Sequence, residues 1–335
     1  VCDDSRTYAH ALTRVLTAEG DIEVVGTYGT AEQLLAALPN LRADLVTMDL
    51  ELPGMDGIAA TRRIMQERPM PIVVLSSHAG EQATEALAAG AVDVLHKGEV
   101  GLRDADGPEG VALRRRVRRL SRLRVARPPV APPVLSRPSH AAANHGVRAI
   151  GIAASTGGPS ALRDVLAHLP AEPAVPVVIV QHMTKGFTVG LARWLDQGVP
   201  PQVRLATDGA RATPGVWIAP DGAHLRVDGS LTLRLDPRDD GSPHRPGADV
   251  LFASLAQSLG ADVAVAVLTG MGDDGARGVA AVVAAGGLAI AQDADTSAVA
   301  GMPRAAVAAG ARIVLPLQDI GSTLAALPAR RPSLT

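Results

Sequence analysis

Cysteine is all but absent: Cys2 is the only one in 335 residues. No internal disulfide can form, and a reducing compartment is the expected setting. Aromatic residues are nearly as scarce, at 2% of a chain that is 47% hydrophobic. Core volume must then come from Ala, Val, Leu and Ile, which favours α/β layers over aromatic-rich sandwiches. Long apolar runs are missing as well. The longest candidate, 278–291, is interrupted by glycine and dominated by alanine, whereas a membrane span needs ~18 uninterrupted apolar residues. The N-terminus carries Asp3 and Asp4 and lacks the charged-then-apolar order of a secretory signal. The expected location is cytoplasmic, with no direct membrane insertion. A strong charge of either sign is also lacking: the net value of −2 gives no built-in attraction to nucleic acid or an anionic surface. The charge is unevenly spread, because residues 111–150 hold ten arginines and no acid.

The length suggests about two domains of roughly 100–200 residues. In the first part, short apolar runs at 23–26, 44–48, 71–75 and 91–95 read as buried strands. Helix-like apolar spacing at 30–38, 57–67 and 80–89 falls between them, and this βαβα rhythm means a parallel sheet. A basic helix at about 110–123 follows. The stretch 127–138 is too rich in proline for a helix or a central strand and reads as a semi-extended linker. The second part restarts the rhythm, with strands at 147–154, 174–181, 262–269 and 288–292 and helices at 159–169, 188–196, 248–259 and 276–285. Segments 224–227 and 230–235 flank Asp228-Gly229, a two-residue hairpin signal. The expected fold is α/β throughout: two doubly wound parallel-sheet domains at 1–120 and 147–330, joined by a Pro/Arg-rich linker at 121–146, with an antiparallel hairpin in the second.

Four features of the first domain converge on one edge. Asp3-Asp4, Asp49, Ser76 and Lys97 each follow or end an expected strand, and ligands of an open parallel sheet bind beyond the carboxyl ends of its strands. Three clustered carboxylates repel one another and call for a hard divalent cation, for which Mg²⁺ suits. A carboxylate beside such an ion can attack a phosphoryl donor while the ion and Lys97 neutralise the developing charge. Lys97 stands out because the chain has only two lysines against thirty arginines. Any one of these aspartates alone would more often be a helix cap or turn former. Together, Asp3-Asp4-Ser5, the run from Met48 to Gly57, Leu75-Ser76-Ser77 and His96-Lys97 resemble the response-regulator receiver family. The resemblance implies a flavodoxin-like domain in which Asp49 is the phosphoacceptor and Asp3, Asp4 and Asp49 hold Mg²⁺. It implies Ser76 and Lys97 as phosphate-sensing partners, and a CheA-like histidine kinase as phosphodonor. The family has a full apolar strand ahead of the acidic pair, where this chain has only Val1 and Cys2. The chain therefore reads as cut short or wrongly started, and its first domain is expected to lack most of a central strand.

The second domain opens with a strand that runs through Ser155-Thr156-Gly157-Gly158 into a helix. Ser155 sits where a nucleophile would be exposed above the sheet edge, and backbone N–H groups at the helix start could stabilise an oxyanion. Taken alone the segment is as readily a Ser N-cap or a phosphate-cradling turn. A Walker loop is excluded because no Gly-Lys-Ser/Thr follows, and the Gly-x-Ser-x-Gly elbow is half matched, with Ala153 in place of its first glycine. His182 ends another apolar run, and Asp273-Asp274 lies in a glycine-rich turn after 262–269. These supply a nucleophile, a base and an orienting acid, in an order unlike that of the α/β-hydrolases.

Ser155-Thr-Gly-Gly, Gln181-His182-Met183, the run from Ile218 to His224, His244-Arg245-Pro246, Asp249-Val-Leu-Phe252, the run from Leu268 to Gly275 and Gly301-Met-Pro-Arg304 resemble the chemotaxis protein-glutamate methylesterase (CheB) family. The resemblance implies a Rossmann-like hydrolase domain with Ser155 as nucleophile, His182 as base and Asp274 as orienting acid, adjacent Asp273 being the alternative. Thr156 and Met271 are implied as neighbours of the oxyanion site. The implied reaction is hydrolysis of glutamyl methyl esters on the cytoplasmic tail of a methyl-accepting chemoreceptor, with deamidation of receptor glutamines, no cofactor at the esterase, and control by phosphorylation. Two rivals stand beside it: a regulatory domain that binds without turnover, and a nucleic-acid binder using 110–127. For the second, no helix-turn-helix pattern follows the basic helix.

Overall fold

The computed structural model describes residues 1–77, 81–123, 146–238, 241–242 and 244–330. The chain divides into two compact units, Val1–Val130 and Ala131–Thr335. Most of the expected linker, 124–145, lies outside the described residues.

The first unit runs α1 (Arg6–Thr17), α2 (Ala31–Ala37), β1 (Val46–Asp49), α3 (Gly57–Glu67), β2 (Ile72–Ser76), α4 (Glu81–Ala88), β3 (Asp93–His96) and α5 (Pro108–Leu120). The strands pair in parallel in the order β1-β2-β3, with Asp49 beside Leu75 and Ser76 beside His96. β1 and β2 are buried at every position, which is why they read as continuous rather than alternating apolar runs. Short polar side chains start the helices by accepting orphan N–H groups: Ser5 from Tyr8, Thr30 from Gln33 and Asp56 from Ala59.

The expected strand at 23–26 does not form. A strand needs a neighbour for its ladder bonds, and Cys2 alone bridges Tyr28 on one side and Met48 on the other. The Val1 ammonium donates to the Gly26 carbonyl at 2.9 Å. Beyond it, 22–25 and the start of β1 border a cavity of about 380 Å³ lined by Val1, Leu16, Val24, Leu34, Leu38 and Val46 among others. The cavity contains none of the site residues named above. Cys2 is buried and free, and burial pushes its thiol up to about 12.

The basic helix is largely spent on its own unit. Arg114 is fully buried, donating to Glu19 at 2.9 Å and to the carbonyls of Val15 and Ala105. Arg116 pairs with Asp93 and Arg118 with Asp21 and Glu19. Three of the five arginines of α5 are therefore already matched to acids, which weakens its nucleic-acid reading.

The second unit runs β4 (Ala149–Ala154), α6 (Gly158–Leu166), β5 (Pro176–Gln181), α7 (Thr188–Gly198), β6 (Val203–Leu205), β7 (Gly215–Ile218), β8 (His224–Val227), β9 (Leu233–Asp236), α8 (Ala248–Leu259), β10 (Val263–Val267), α9 (Ala276–Ala284), β11 (Leu288–Gln292), α10 (Gly301–Ala308), β12 (Ile313–Leu315) and α11 (Leu317–Ala325). Seven strands form one sheet in the order β12-β11-β10-β4-β5-β7-β6, every pairing parallel. Alternate residues of β4 and β5 feed two cores. Ala149, Ala153, Val178 and Val180 meet α8, α9, α10 and the β8–β9 hairpin, whereas Ile150, Ile152, Val177 and Ile179 meet α6, α7 and α11. The result is a three-layer, doubly wound unit in which the chain leaves β4 towards β5 and β7, then crosses back through α8 to add β10 on the other side of β4. Such a reversal of strand order opens a crevice at the carboxyl ends.

The hairpin is present but its turn is longer than expected. β9 starts at Leu233, and 228–232 form the connection, pinned by Asp228 Oδ1 accepting the N–H groups of Ser230 and Thr232. Backbone bonds close the longer turn, from Leu231 N–H to the Asp228 carbonyl at 2.9 Å and from Asp228 N–H to the Thr232 carbonyl at 3.0 Å, and the Asp side chain adds to them. β6, β7, β12, α10 and α11 had no counterpart in the reading of the sequence; β6 and β12 have only three residues each, too few for periodicity to show.

Candidate active site and phosphoacceptor site

Three adjacent strands of the second unit deliver the expected hydrolase residues. Ser155 follows β4 and His182 follows β5, while Asp274 lies in the turn between β10 and α9. Because β10, β4 and β5 are neighbours in parallel, all three residues reach the same sheet edge at the reversal of strand order. His182 N–H is bonded to the Ala154 carbonyl at 2.9 Å, and Ser155 N–H to the Thr269 carbonyl at 3.0 Å. These bonds tie the base and the acid-bearing strand directly to the turn that holds Ser155.

His182 Nε2 lies 2.8 Å from Asp274 Oδ2, both side chains being mostly buried. The contact is close but too oblique for a well-formed hydrogen bond, and His182 Nδ1 is buried without a hydrogen-bond partner. No hydrogen bond joins the Ser155 hydroxyl to that ring among the described residues; such bonds often tighten only when substrate is bound. Asp274 also accepts the backbone N–H groups of Ala248 at 2.8 Å and Asp249 at 2.9 Å, the first residues of α8. Burial alone would raise its pKa. The contact and charge of His182, with the two N–H donors, outweigh burial and hold the carboxyl at about 2. Asp273 is exposed, and its backbone carbonyl accepts from Ala276. The geometry thus separates two adjacent acids that the sequence left as alternatives.

The Thr156 and Met271 N–H groups donate to no acceptor among the described residues. Gly270 comes so near the nucleophile turn that a Cβ on it would lie 2.9 Å from Ser155 Cβ, which brings the Met271 backbone beside Ser155. The turn itself depends on Gly157 at φ +77 and on Gly158, where a Cβ would overlap Gln181 Oε1.

Some of what holds the site had no role in the sequence reading. Gln181 is buried, and its amide donates to the carbonyls of both Ser155 and His182 at 2.8 Å. The Thr269 hydroxyl donates to the Thr156 carbonyl and accepts from Val299 N–H, both at 2.9 Å. The His244 ring stacks on the His182 ring at 4.2 Å between centroids. Each belongs to or adjoins a motif quoted above, but motif membership does not say what a side chain touches.

In the first unit, Asp3, Asp4 and Asp49 offer carboxylate oxygens that all lie within 4.8 Å of one another. Asp3 and Asp49 are buried and Asp4 is exposed. Lys97 Nζ bridges Asp49 Oδ2 at 2.6 Å and Asp3 Oδ2 at 2.8 Å. Burial raises the Asp49 carboxyl above its ordinary range, with the Asp3 charge adding to it, and the Lys97 contact reverses this only in part. Burial would lower the Lys97 ammonium, but its two carboxylate partners raise it instead. Ser76 ends β2, buried, one strand from Asp49. Tyr8 was not anticipated. Its ring lies under Lys97 Nζ at 4.6 Å, and its hydroxyl is buried without a partner.

Comparison with known proteins follows the same division. A family model described as CheB methylesterase matches residues 150–324, and one described as response regulator receiver domain matches residues 1–101. Protein-glutamate methylesterase/protein-glutamine glutaminase 3 of Myxococcus xanthus is 41% identical over 98% of this chain and 91% of its own length. The protein-glutamate methylesterase/protein-glutamine glutaminase of group 2 operon from Cereibacter sphaeroides is 41% identical over 100% of this chain and 93% of its own. The CheB methylesterase catalytic domain of Thermotoga maritima, a crystal structure, is 37% identical with a TM-score of 0.52, covering 53% of this chain and 97% of that one. With one unit matching a receiver and the other a methylesterase, in a single chain aligned from end to end with these relatives, the chain belongs to the CheB protein-glutamate methylesterase family.

Proposed function

We propose that the chain hydrolyses glutamyl methyl esters on the cytoplasmic tails of methyl-accepting chemoreceptors and deamidates receptor glutamines, under the control of phosphorylation at Asp49. The observation that carries this reading is the close approach of His182 to Asp274, 2.8 Å apart, on the sheet edge that also bears Ser155. Relatives named for these two activities support the choice of substrate.

In the proposed reaction Asp274, held anionic, takes up the Nε2 side of His182 and leaves Nδ1 as the base. Ser155 Oγ gives its proton to Nδ1 and bonds to the ester carbonyl carbon, and the carbonyl oxygen becomes an oxyanion facing the Thr156 and Met271 N–H groups. Collapse breaks the bond to the methoxy oxygen, which leaves as methanol with the proton from His182. Water then attacks the acyl-enzyme, His182 again taking a proton, and the glutamate carboxylate departs as Ser155 is restored. A glutamine side chain would follow the same course with ammonia as the leaving group. No step needs a cofactor.

In the first unit Asp49 would take a phosphoryl group from the phosphohistidine of a CheA-like histidine kinase. Asp3, Asp4 and Asp49 fit Mg²⁺, being hard oxygen donors clustered within 4.8 Å. The ion, when bound, supplies positive charge that lowers the repulsion between carboxylate and phosphoryl donor. Lys97 would then shift from the carboxylate pair towards the phosphoryl oxygens, with Ser76 sensing the same group. We assign the receiver to 1–120, the linker to 121–146 and the hydrolase to 147–330. Methanol release from a methylated receptor fragment tests the activity. It should be rapid with the full chain and lost with Ser155→Ala, and release that survives in Ser155→Ala would refute the nucleophile.

A further inference from the structure

We propose that Asp249 is a positioning residue for the hydrolase site, holding Asp274 in place through an exchange of caps between two helices. The proposal rests on the assignment of Asp274 as the orienting acid. Asp274 precedes α9, yet its carboxylate accepts the N–H groups of Ala248 and Asp249, the first turn of α8. Asp249 stands in that first turn and returns the favour. Its Oδ1 accepts Gly275 N–H at 3.0 Å and Gly278 N–H at 2.8 Å, which are the N-cap and an early residue of α9. Each helix start therefore has N–H groups satisfied by an acid belonging to the other, where four orphan donors otherwise need partners.

The exchange fixes the turn between β10 and α9 at both ends. Gly275 adopts φ +99 immediately after Asp274, so the direction of the Asp274 side chain follows from where Gly275 N–H is held. The helices can come this close because residue 278 is glycine. A Cβ there would lie 2.5 Å from Phe252 Cβ and 3.2 Å from Asp249 Cα. Asp249 Oδ2 meets Arg277 Nε at 2.8 Å, but that arginine is 87% exposed, so the ion pair adds little. The working part of Asp249 is Oδ1 and its two N–H partners.

The same turn carries Met271, whose N–H is proposed to meet the oxyanion. Loss of Asp249 Oδ1 would let the turn relax and move both the acid and that donor. Misplacement by about 1 Å can cost on the order of 10²-fold in rate, and it would fall on kcat, because the orienting acid and the oxyanion donor act in the transition state rather than on the bound ester.

The test uses the full-length chain and a receptor cytoplasmic fragment bearing glutamyl methyl esters, with methanol release read as kcat and KM. Asp249→Ala should lower kcat about 30-fold, within the range expected for a displaced catalytic group, with KM changed less than about twofold. Asp249→Asn keeps an oxygen for the two N–H groups and should stay within about threefold of the parent, while Arg277→Ala should stay within about twofold. Combining Asp249→Ala with Asp274→Asn should fall well short of the product of the two single losses, since both act through Asp274 and only the part falling on the Met271 donor is left to add. Full kcat in Asp249→Ala, or losses that multiply in the double variant, would overturn the proposal. If Asp249→Ala does not fold, Asp249→Asn decides: a loss as large as that of Asp274→Asn contradicts the cap exchange. Ser155→Ala, run alongside, separates the two failures. Should it retain activity, the assignment of the site falls; should it lose activity while Asp249→Ala does not, only the role of Asp249 falls.

Discussion

Two carboxylates lie towards the carboxyl ends of parallel strands in the two units, Asp49 as the last residue of β1 and Asp274 in the turn after β10, each in contact with a basic side chain, yet their electrostatics run in opposite directions. Asp274 is driven down to about 2, whereas Asp49 is raised above its ordinary value. Both are largely buried, so desolvation is not the difference. Donors are: Asp274 accepts two N–H groups from the start of α8 in addition to its contact with His182. Asp49 accepts a single long 3.3 Å bond from Glu51 N–H, shares Lys97 with Asp3, and carries the charge of Asp3 as a neighbour. In the role proposed for Asp274, an acid that orients a base must remain an anion through the cycle, and helix-start N–H groups favour that form. A carboxylate that must itself attack is better left under-solvated and crowded, because bonding to phosphorus relieves what the site withholds.

The largest expected effect of breaking this contrast is on chemistry. Asp274→Asn should lower kcat for methanol release by about 10³-fold or more, while Asp273→Asn should change it less than about twofold. Equal losses would show that the close contact with His182 is not the one that matters. In the first unit, Asp49→Asn should abolish Mg²⁺-dependent labelling by acetyl phosphate, and labelling that persists would refute Asp49 as acceptor.

The next effect is on stability, and the two substitutions should differ in sign. The folded pKa of Asp274 is depressed, so its contribution is present above the unfolded value of 3.8 and is lost as pH falls towards about 2. Asp274→Asn should cost on the order of 2 kcal/mol at pH 7, measured by urea denaturation, and the gap to the parent should close between pH 4 and pH 2. The folded pKa of Asp49 is raised, so its contribution is full below the unfolded value and is lost as pH rises through the folded one. Once ionised it opposes folding, and Asp49→Asn should raise the melting temperature of the first unit. A fall in both variants would show that burial does not govern Asp49.

Much of the fold was legible because buried parallel strands declare themselves as largely apolar runs, as β2, β4, β5 and β10 do. The strand expected at 23–26 failed because its apolar pattern speaks only for its own residues, while pairing depends on a neighbour elsewhere in the chain. The hairpin turn is longer than the dipeptide rule assumes because its backbone bonds close between Asp228 and Leu231–Thr232, with Leu231 at φ +64 and the Asp228 side chain bracing the loop. The candidate site was legible to the level of which residues gather on one edge, since strand ends and motif spacing fix that. The choice between Asp273 and Asp274 was not, because it depends on which of two adjacent side chains turns towards α8. Gln181, Thr269 and Asp249 were equally silent, as their roles are hydrogen bonds between segments 26 to 113 residues apart.

The central claim is that residues from three strand ends of the second unit work as one catalytic group. The direct measurement is kcat for methanol release from a methylated receptor fragment by Ser155→Ala, His182→Ala and the double variant in the full chain. If the three act as a unit, each single variant should lose nearly all activity and the double should be no worse than the poorer single within about threefold. Losses that multiply in the double variant would mean that Ser155 and His182 act independently, and the account of the site would be wrong.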